Sequence, residues 1–383
     1  MLFRLSNIGA LPDLEMHADG LTIITGLNGT VKSTLLKSIY CTLSPAQGFE
    51  ASKMEDSIFE LRNIIQNNLG IGAYGLDFGV DKLLERARSI PRERLKESEE
   101  RKLRYVEELL DGKRDVEFYS SRVGDAVNSE FGSLTQAINL RTKGDALVEI
   151  SDDSGISRCR LTQDGTAWEG RVNGFPDVIY YDTPFVLDQT WGNLAYKDHR
   201  DILSALLHNN GRTSSIQKIV GRENRDRFDR FTSDVLEGTI HSDGMTFFTD
   251  DGVRISVKNI AAGMKVFAIL RLLADKDLLN SDTMLLLDEP EIHLHPSWIN
   301  VLAKVIAVIV KDIGAKVVMT THSPQLLMAM EGVIEDYGIH ADCYDLTMGQ
   351  DGIEFSGPLT DLQPVYGRMA KPISEAGSRF LRT

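Results

Sequence analysis

The segment Gly26-Leu-Asn-Gly-Thr-Val-Lys-Ser-Thr34 carries the residue types a phosphate chain needs, in the order it needs them. An apolar run, Leu21 to Ile24, reads as a strand, and Ser33 to Thr42 reads as a helix. A loop between them turns backbone N–H groups and the positive end of the helix dipole toward one point. Asn28, Gly29, Thr30, Val31, Lys32, Ser33 and Thr34 are the expected phosphate-binding residues. Lys32 reaches the terminal phosphates and the Ser33 hydroxyl ligates Mg²⁺. One position departs from G-x-x-x-x-G-K-[ST], because Val31 stands where the pattern has glycine. Its Cβ lies where backbone and phosphates come closest, so either the side chain crowds the nucleotide or the loop shifts and still works.

A second chemical group closes the run Met284-Leu-Leu-Leu-Asp-Glu289. Four apolar residues ending in two carboxylates predict a strand buried on both faces, with its acids at the edge where ligands collect. Were Asp288 and Glu289 only a helix N-cap pair before Pro290, a buried strand would end in unpaired charge. Asp182 and Gln189, just after the apolar stretch Val178-Ile-Tyr-Tyr181, are weaker candidates for contact with metal or water.

The elements that must position these groups alternate between strand and helix. Residues 1–50 hold two short strands, the Leu21 strand and the phosphate loop. Residues 51–142 are mostly of helical period, with Ile58, Leu61, Ile64 and Ile65 on one face, and form an inserted helical region. Residues 143–240 hold strand pieces, including a hairpin around Asp152-Asp-Ser-Gly155, and then charged helices. Residues 241–356 bring a hairpin around Asp250-Asp-Gly252, an apolar helix, the Asp288 strand, a helix from Ser297 to Asp312, a strand from Ala315 to Thr320 and a helix from Pro324. Residues 357–383 read as a tail with several turn residues that partly wraps the domain. The alternation predicts an α/β fold with a largely parallel sheet.

Composition narrows the classes. A chain of 383 residues with 42% hydrophobic content can bury a large core. No run approaches the roughly 18 apolar residues of a membrane span, and no signal-peptide pattern opens the chain. A cytoplasmic protein without membrane contact is expected. Cys41, Cys159 and Cys343 have no metal-ligand spacing and read as reduced thiols. The formal net charge of −14 argues against a surface that is basic all over. Arg86 to Arg104 is rich in Arg and Lys, but its interleaved glutamates fit an ion-paired solvated helix better than a DNA-binding arm.

Taken in order, the phosphate loop, Ala261-Ala-Gly-Met-Lys265, Leu285 to Pro296 and Thr320-Thr-His-Ser-Pro324 resemble an ABC-type ATPase head of the SMC/RecF kind. The match is strongest to the OLD-type ATPases of bacterial antiphage defence, through Asp-Glu-Pro-Glu-Ile-His-Leu-His-Pro. The resemblance covers about residues 1–43 and 240–330. It implies a P-loop NTPase with an ABC/SMC-like head: a largely parallel central sheet, an antiparallel β part and an inserted helical region. It also implies ATP and Mg²⁺ as cofactors, with Asp288 holding the metal through water, Glu289 as general base and His322 sensing the γ-phosphate. A capping or core role is the alternative for His322. His293 and His295 fit a structural or interface role better than metal ligation.

In the same resemblance Ala262, Gly263 and Lys265 occupy the signature turn that reaches a partner's γ-phosphate. The signature serine is missing, since Ala261 and Ala262 carry no hydroxyl, and Lys265 either compensates electrostatically or lies on the surface. With Val31, this departure weakens the expected ATPase activity.

The family likeness implies a homodimer or higher oligomer that controls a separate nuclease or toxin effector, as in the Septu and PARIS systems, with nucleic acid reached through the complex. About sixty residues follow Pro324, too few for the Toprim nuclease that OLD proteins often carry. The alternatives are a nucleotide-gated scaffold with little hydrolysis and a RecF-type DNA-repair ATPase. A transporter ATPase is the least fitting.

Overall fold

A computed structural model describes residues 1–70, 79–139, 144–189, 198–208, 226, 228–233, 235–236, 238–241, 245–350 and 352–380, with side chains to 371. The strands are β1 (Leu2–Ser6), β2 (Leu14–His17), β3 (Leu21–Gly26), β4 (Ala146–Asp152), β5 (Gly155–Leu161), β6 (Thr166–Glu169), β7 (Asp177–Tyr181), β8 (Gly238–Ile240), β9 (Thr246–Thr249), β10 (Arg254–Ser256), β11 (Thr283–Asp288), β12 (Lys316–Thr321), β13 (Ala341–Met348) and β14 (Ile353–Ser356). The helices are α1 (Lys32–Leu43), α2 (Phe49–Leu69), α3 (Val80–Arg88), α4 (Glu97–Leu110), α5 (Asp115–Phe131), α6 (Leu134–Ala137), α7 (His199–His208), α8 (Ala262–Asp275), α9 (Pro296–Val308), α10 (Pro324–Tyr337) and α11 (Gln363–Phe380).

The central sheet runs β14-β13-β3-β12-β11-β7. All its pairs are parallel except β13 with β14. Its inner strands are apolar on both faces, as a sheet covered on both sides requires. Ile23, Leu285, Leu287, Val317 and Met319 point into one core with α8, α9 and α10. Ile24, Met284, Leu286 and Val318 point into the opposite core with α1, α5 and the second sheet. That second sheet, β2-β1-β4-β5-β6, is antiparallel throughout. A three-stranded antiparallel sheet, β10-β9-β8, stands apart from both. The helices of the insertion have their own small core of Leu61, Ile64, Ile65, Leu83, Ala87 and Val106.

The α/β fold expected from sequence is therefore the one found, with its largely parallel sheet, antiparallel part and helical insertion. Within Arg86–Arg104, three of the eight basic residues form ion pairs, Arg88–Glu107, Arg101–Glu97 and Lys102–Glu60. Two differences stand out. Strand β6 was not anticipated; only four residues long, it shows its single buried ring, Trp168, too briefly for a period to register. The chain after Gly357 forms an amphipathic helix, α11, where its turn residues suggested irregular chain, and its Val365 and Met369 pack into the main core. The reading of helices between His199 and Phe231 falls partly on 209–225, outside the described residues.

Candidate functional site

Parallel register brings the chemical groups together. Asp288 of β11 lies beside Thr320 of β12, Thr320 beside Ile24 of β3, and Thr321 beside Thr25. Three strands thus end at one edge, where the phosphate loop leaves β3. Gly26 opens that loop in a tight place, since a Cβ there would stand 2.6 Å from Thr30 Oγ1 and 2.7 Å from Leu346 O. The Thr30 hydroxyl donates to Leu27 O at 2.7 Å, which closes the turn.

Val31 adopts φ 57°, ψ 26°, the left-handed region, immediately before α1. A β-branched residue is an outlier there, which gives the physical reason for a glycine in the phosphate-loop pattern. Lys32 follows, nearly buried. Its Nζ donates to Gly26 O at 2.9 Å and Leu27 O at 3.2 Å and stands 3.0 Å from Glu289 Oε1. Asn28, Gly29 and Ser33 are exposed around it, with Thr34 half-buried.

The acidic pair is held by hydroxyls and backbone. Asp288 accepts from Thr320 Oγ1 at 2.6 Å and from the Tyr180 hydroxyl at 3.1 Å, one on each carboxylate oxygen. Glu289 turns to φ 48°, and its N–H donates to Thr320 O and Oγ1 at 3.2 and 3.1 Å. His322, at the end of β12, brings Nδ1 within 3.1 Å of Glu289 Oε1, close but not aligned as a hydrogen bond. Lys32, Glu289 and His322 therefore converge on one carboxylate oxygen, with Asp288 one residue before it.

Glu291 was not singled out from the sequence. It is buried, the Thr321 hydroxyl donates to Oε1, and burial pushes its carboxyl above the usual range. The only sequence signal was its place in Asp-Glu-Pro-Glu. Gln189 Oε1 is buried and finds no hydrogen-bond partner among the described residues. Asp182 is engaged by two basic side chains: Arg200 Nε donates to it at 2.9 Å and His199 Nε2 lies 3.2 Å away. Burial alone would raise the Asp182 carboxyl, but these cations prevail and hold it at about 2. Burial would likewise lower His199, and its two carboxylate partners, Asp182 and Glu130, lift it to about 9.

At the signature turn Ala261 is exposed and α8 begins with no side-chain cap, leaving its first N–H groups without that partner. Gly263 is packed inside the domain, where a Cβ would meet His293 O and Trp298 at 2.9 Å. Lys265 is not on the surface. Its ammonium is buried against Asp188, at 2.7 and 2.8 Å from the two carboxylate oxygens, and lies over the Phe185 ring. The helical phase explains this, because Gly263 and Lys265 fall on the inward side of α8 while Ala262 and Met264 are only half-buried.

His295 caps α9, its Nδ1 accepting from Ser297 N at 3.3 Å, and His293 meets Phe185 edge-on at 5.3 Å. Among the described residues no group of three or more His, Cys, Asp or Glu could hold a metal. An Mg²⁺–nucleotide, which needs few protein ligands, makes a different demand. Asp288 has one hydroxyl bond on each oxygen and acceptor capacity left, and the Ser33 hydroxyl is exposed at the start of α1. These residues fit that group. All three cysteines are buried and free.

A family model described as "AAA domain, putative AbiEii toxin, Type IV TA system" matches residues 21–329, from the strand before the phosphate loop to the helix after His322. The chain belongs to this AAA-domain family. It is thus a P-loop ATPase domain by family. No curated protein matches. Among solved structures, the AAA domain is similar to the SMC head domain from Thermotoga maritima, with 11% identity and TM-score 0.43 over 93% of this chain and 97% of that one. It is also similar to an Smc head domain with an extended coiled coil bound to the C-terminal domain of ScpA from Pyrococcus furiosus, with 10% identity and TM-score 0.42 over 93% and 95%. A third is the recombination mediator protein RecF, with 10% identity and TM-score 0.41 over 93% and 97%. No described helix of this AAA domain is long and apolar enough to cross a membrane.

Proposed function

We propose that this AAA domain binds and hydrolyses ATP, dimerises around the nucleotide, and controls or scaffolds a separate nuclease or toxin effector in bacterial antiphage defence. The observation that carries the reading is the meeting of Lys32, Glu289 and His322 at one carboxylate oxygen beside Asp288. These residues come from three strand ends and share no local structural need for one another.

In this reading the loop from Asn28 to Thr34 cradles the phosphates. Lys32 moves from the loop carbonyls and Glu289 to the terminal phosphates, and that departure frees Glu289 to take a proton from the attacking water. His322 bonds the γ-phosphate oxygen. Ser33 and Asp288 would hold Mg²⁺, which would neutralise phosphate charge. The uncapped N–H groups of Ala262 and Gly263 face the partner's nucleotide, while Lys265 sets the helix that carries them through its bond to Asp188. The family description names a putative toxin of a Type IV TA system, which supports a two-component arrangement.

A second reading, a nucleotide-gated scaffold with little turnover, is favoured by Val31 in the left-handed region and by the uncapped Ala261. Steady-state phosphate release separates the two. The hydrolytic reading expects turnover that falls by about 10² or more in Glu289→Gln, as loss of a general base does, with ATP binding retained. Equal release by both proteins contradicts it. The effector part is tested by recovering native protein with and without ATP and assaying for nuclease activity; recovery of the domain alone under every condition counts against it.

A further inference from the structure

Behind the phosphate loop, on the side away from Asp288 and Glu289, lies a buried carboxylate that the proposed chemistry does not use. Asp345 of β13 is 2% exposed and pairs in register with Thr25, the residue before Gly26. The Thr25 hydroxyl donates to Asp345 Oδ1 at 2.7 Å and lies 3.1 Å from Tyr344 O. The next residue of β13 crowds the loop itself, since Leu346 O would stand 2.7 Å from a Cβ at Gly26. The other oxygen, Oδ2, accepts from Arg368 Nη2. Arg368 belongs to α11, which is anchored beside it by buried Val365 and Met369 and by the Tyr366 hydroxyl on Glu331.

A buried carboxylate held by one hydroxyl alone is poorly compensated, and the guanidinium is the cation that completes it. Its position makes this a matter for the loop as well as for folding. An unneutralised negative charge one residue behind the phosphate loop opposes a polyanion in front of it. It also loses its fixed geometry, and with it the restraint on Thr25.

We propose that Arg368 is a positioning residue for the phosphate loop, its guanidinium neutralising Asp345 so that the C-terminal helix must be docked for tight binding of a nucleoside triphosphate. The inference rests on the nucleotide reading above and deepens it by naming the helix that sets affinity. A partner that lifts α11 from the domain therefore weakens nucleotide binding without touching the site.

The test is the affinity of the full chain for a fluorescent ATP analogue with Mg²⁺. The variants are Arg368→Gln, which keeps much of the side-chain stem, and the pair Arg368→Gln with Asp345→Asn. The inference expects about tenfold weaker binding in Arg368→Gln, the scale of one charge at partly screened range, and recovery to within about twofold in the pair. Arg368→Gln binding as tightly as the unaltered chain overturns it, as does a pair as weak as Arg368→Gln. Should Arg368→Gln not fold, Asp345→Asn is compared with the pair. Equal affinities support the inference, and a further drop in the pair overturns it. No binding by the unaltered chain overturns the nucleotide reading itself, and this inference falls with it.

Discussion

Val31 is the residue at which the loop departs most plainly from the pattern it otherwise follows. At φ 57° a valine holds a conformation that costs an L-residue roughly 1–2 kcal/mol. Glycine in its place removes that strain and adds back part of it as unfolded-chain entropy. Val31→Gly should therefore stabilise the domain by up to about 1 kcal/mol, read as a higher midpoint in denaturant. A lower midpoint means that the contact of Val31 with the second core outweighs the strain. Lys32, Asp288, Glu289 and His322 were legible in the sequence because motif spacing and strand-end chemistry mark them. Glu291 and Asp345 were not. Their importance depends on which strand lies beside which, and Asp345 gains its meaning from Thr25, far away along the chain.

At the scale of elements, one buried histidine ties three of them together. His199 at the start of α7 has Nδ1 2.8 Å from Glu130 Oε2 of α5 and Nε2 3.2 Å from Asp182 after β7. Its ring stacks on Tyr180, centroids 4.1 Å apart, and Tyr180 supports Asp288. Arg200 and Lys37 are the cations that share these carboxylates.

The histidine is lifted to about 9, above its unfolded value near 6.5, so its contribution to stability is complete below about pH 6.5. That contribution disappears as pH rises through about 9. Asp182, depressed to about 2, contributes above about pH 4 and loses its share as pH falls through about 2. Denaturant titrations between pH 6.5 and 9 should show stability falling, with the slope reduced in His199→Phe; an unchanged slope in that variant contradicts the assignment. None of this was readable beforehand. His199 is a lone histidine in a charged stretch, and only folding reveals its two acidic partners. By contrast α8, α9 and α10 were legible from their apolar period, although α8 begins at Ala262, before the apolar run from Val266 to Ala274 that marks it, because its uncapped first turn has no start signal.

The whole molecule has a parallel sheet with a core on each face and a separate helical insertion with its own small core. The strand–helix alternation made the parallel sheet legible. The five-stranded antiparallel sheet was only partly so, since β1 and β4 pair across the whole insertion and no local pattern encodes that. The long-range parallel pairing of β3, β12 and β11 brings Lys32 to Glu289, and the functional account stands on it. Titration calorimetry of the unaltered chain and of Lys32→Ala with ATP and Mg²⁺ tests it most directly. The account predicts saturable heat for the unaltered chain and at least about tenfold weaker binding for Lys32→Ala, as expected for losing a charge-assisted contact to phosphate. Equal binding by the two proteins, or no heat from either, would contradict it.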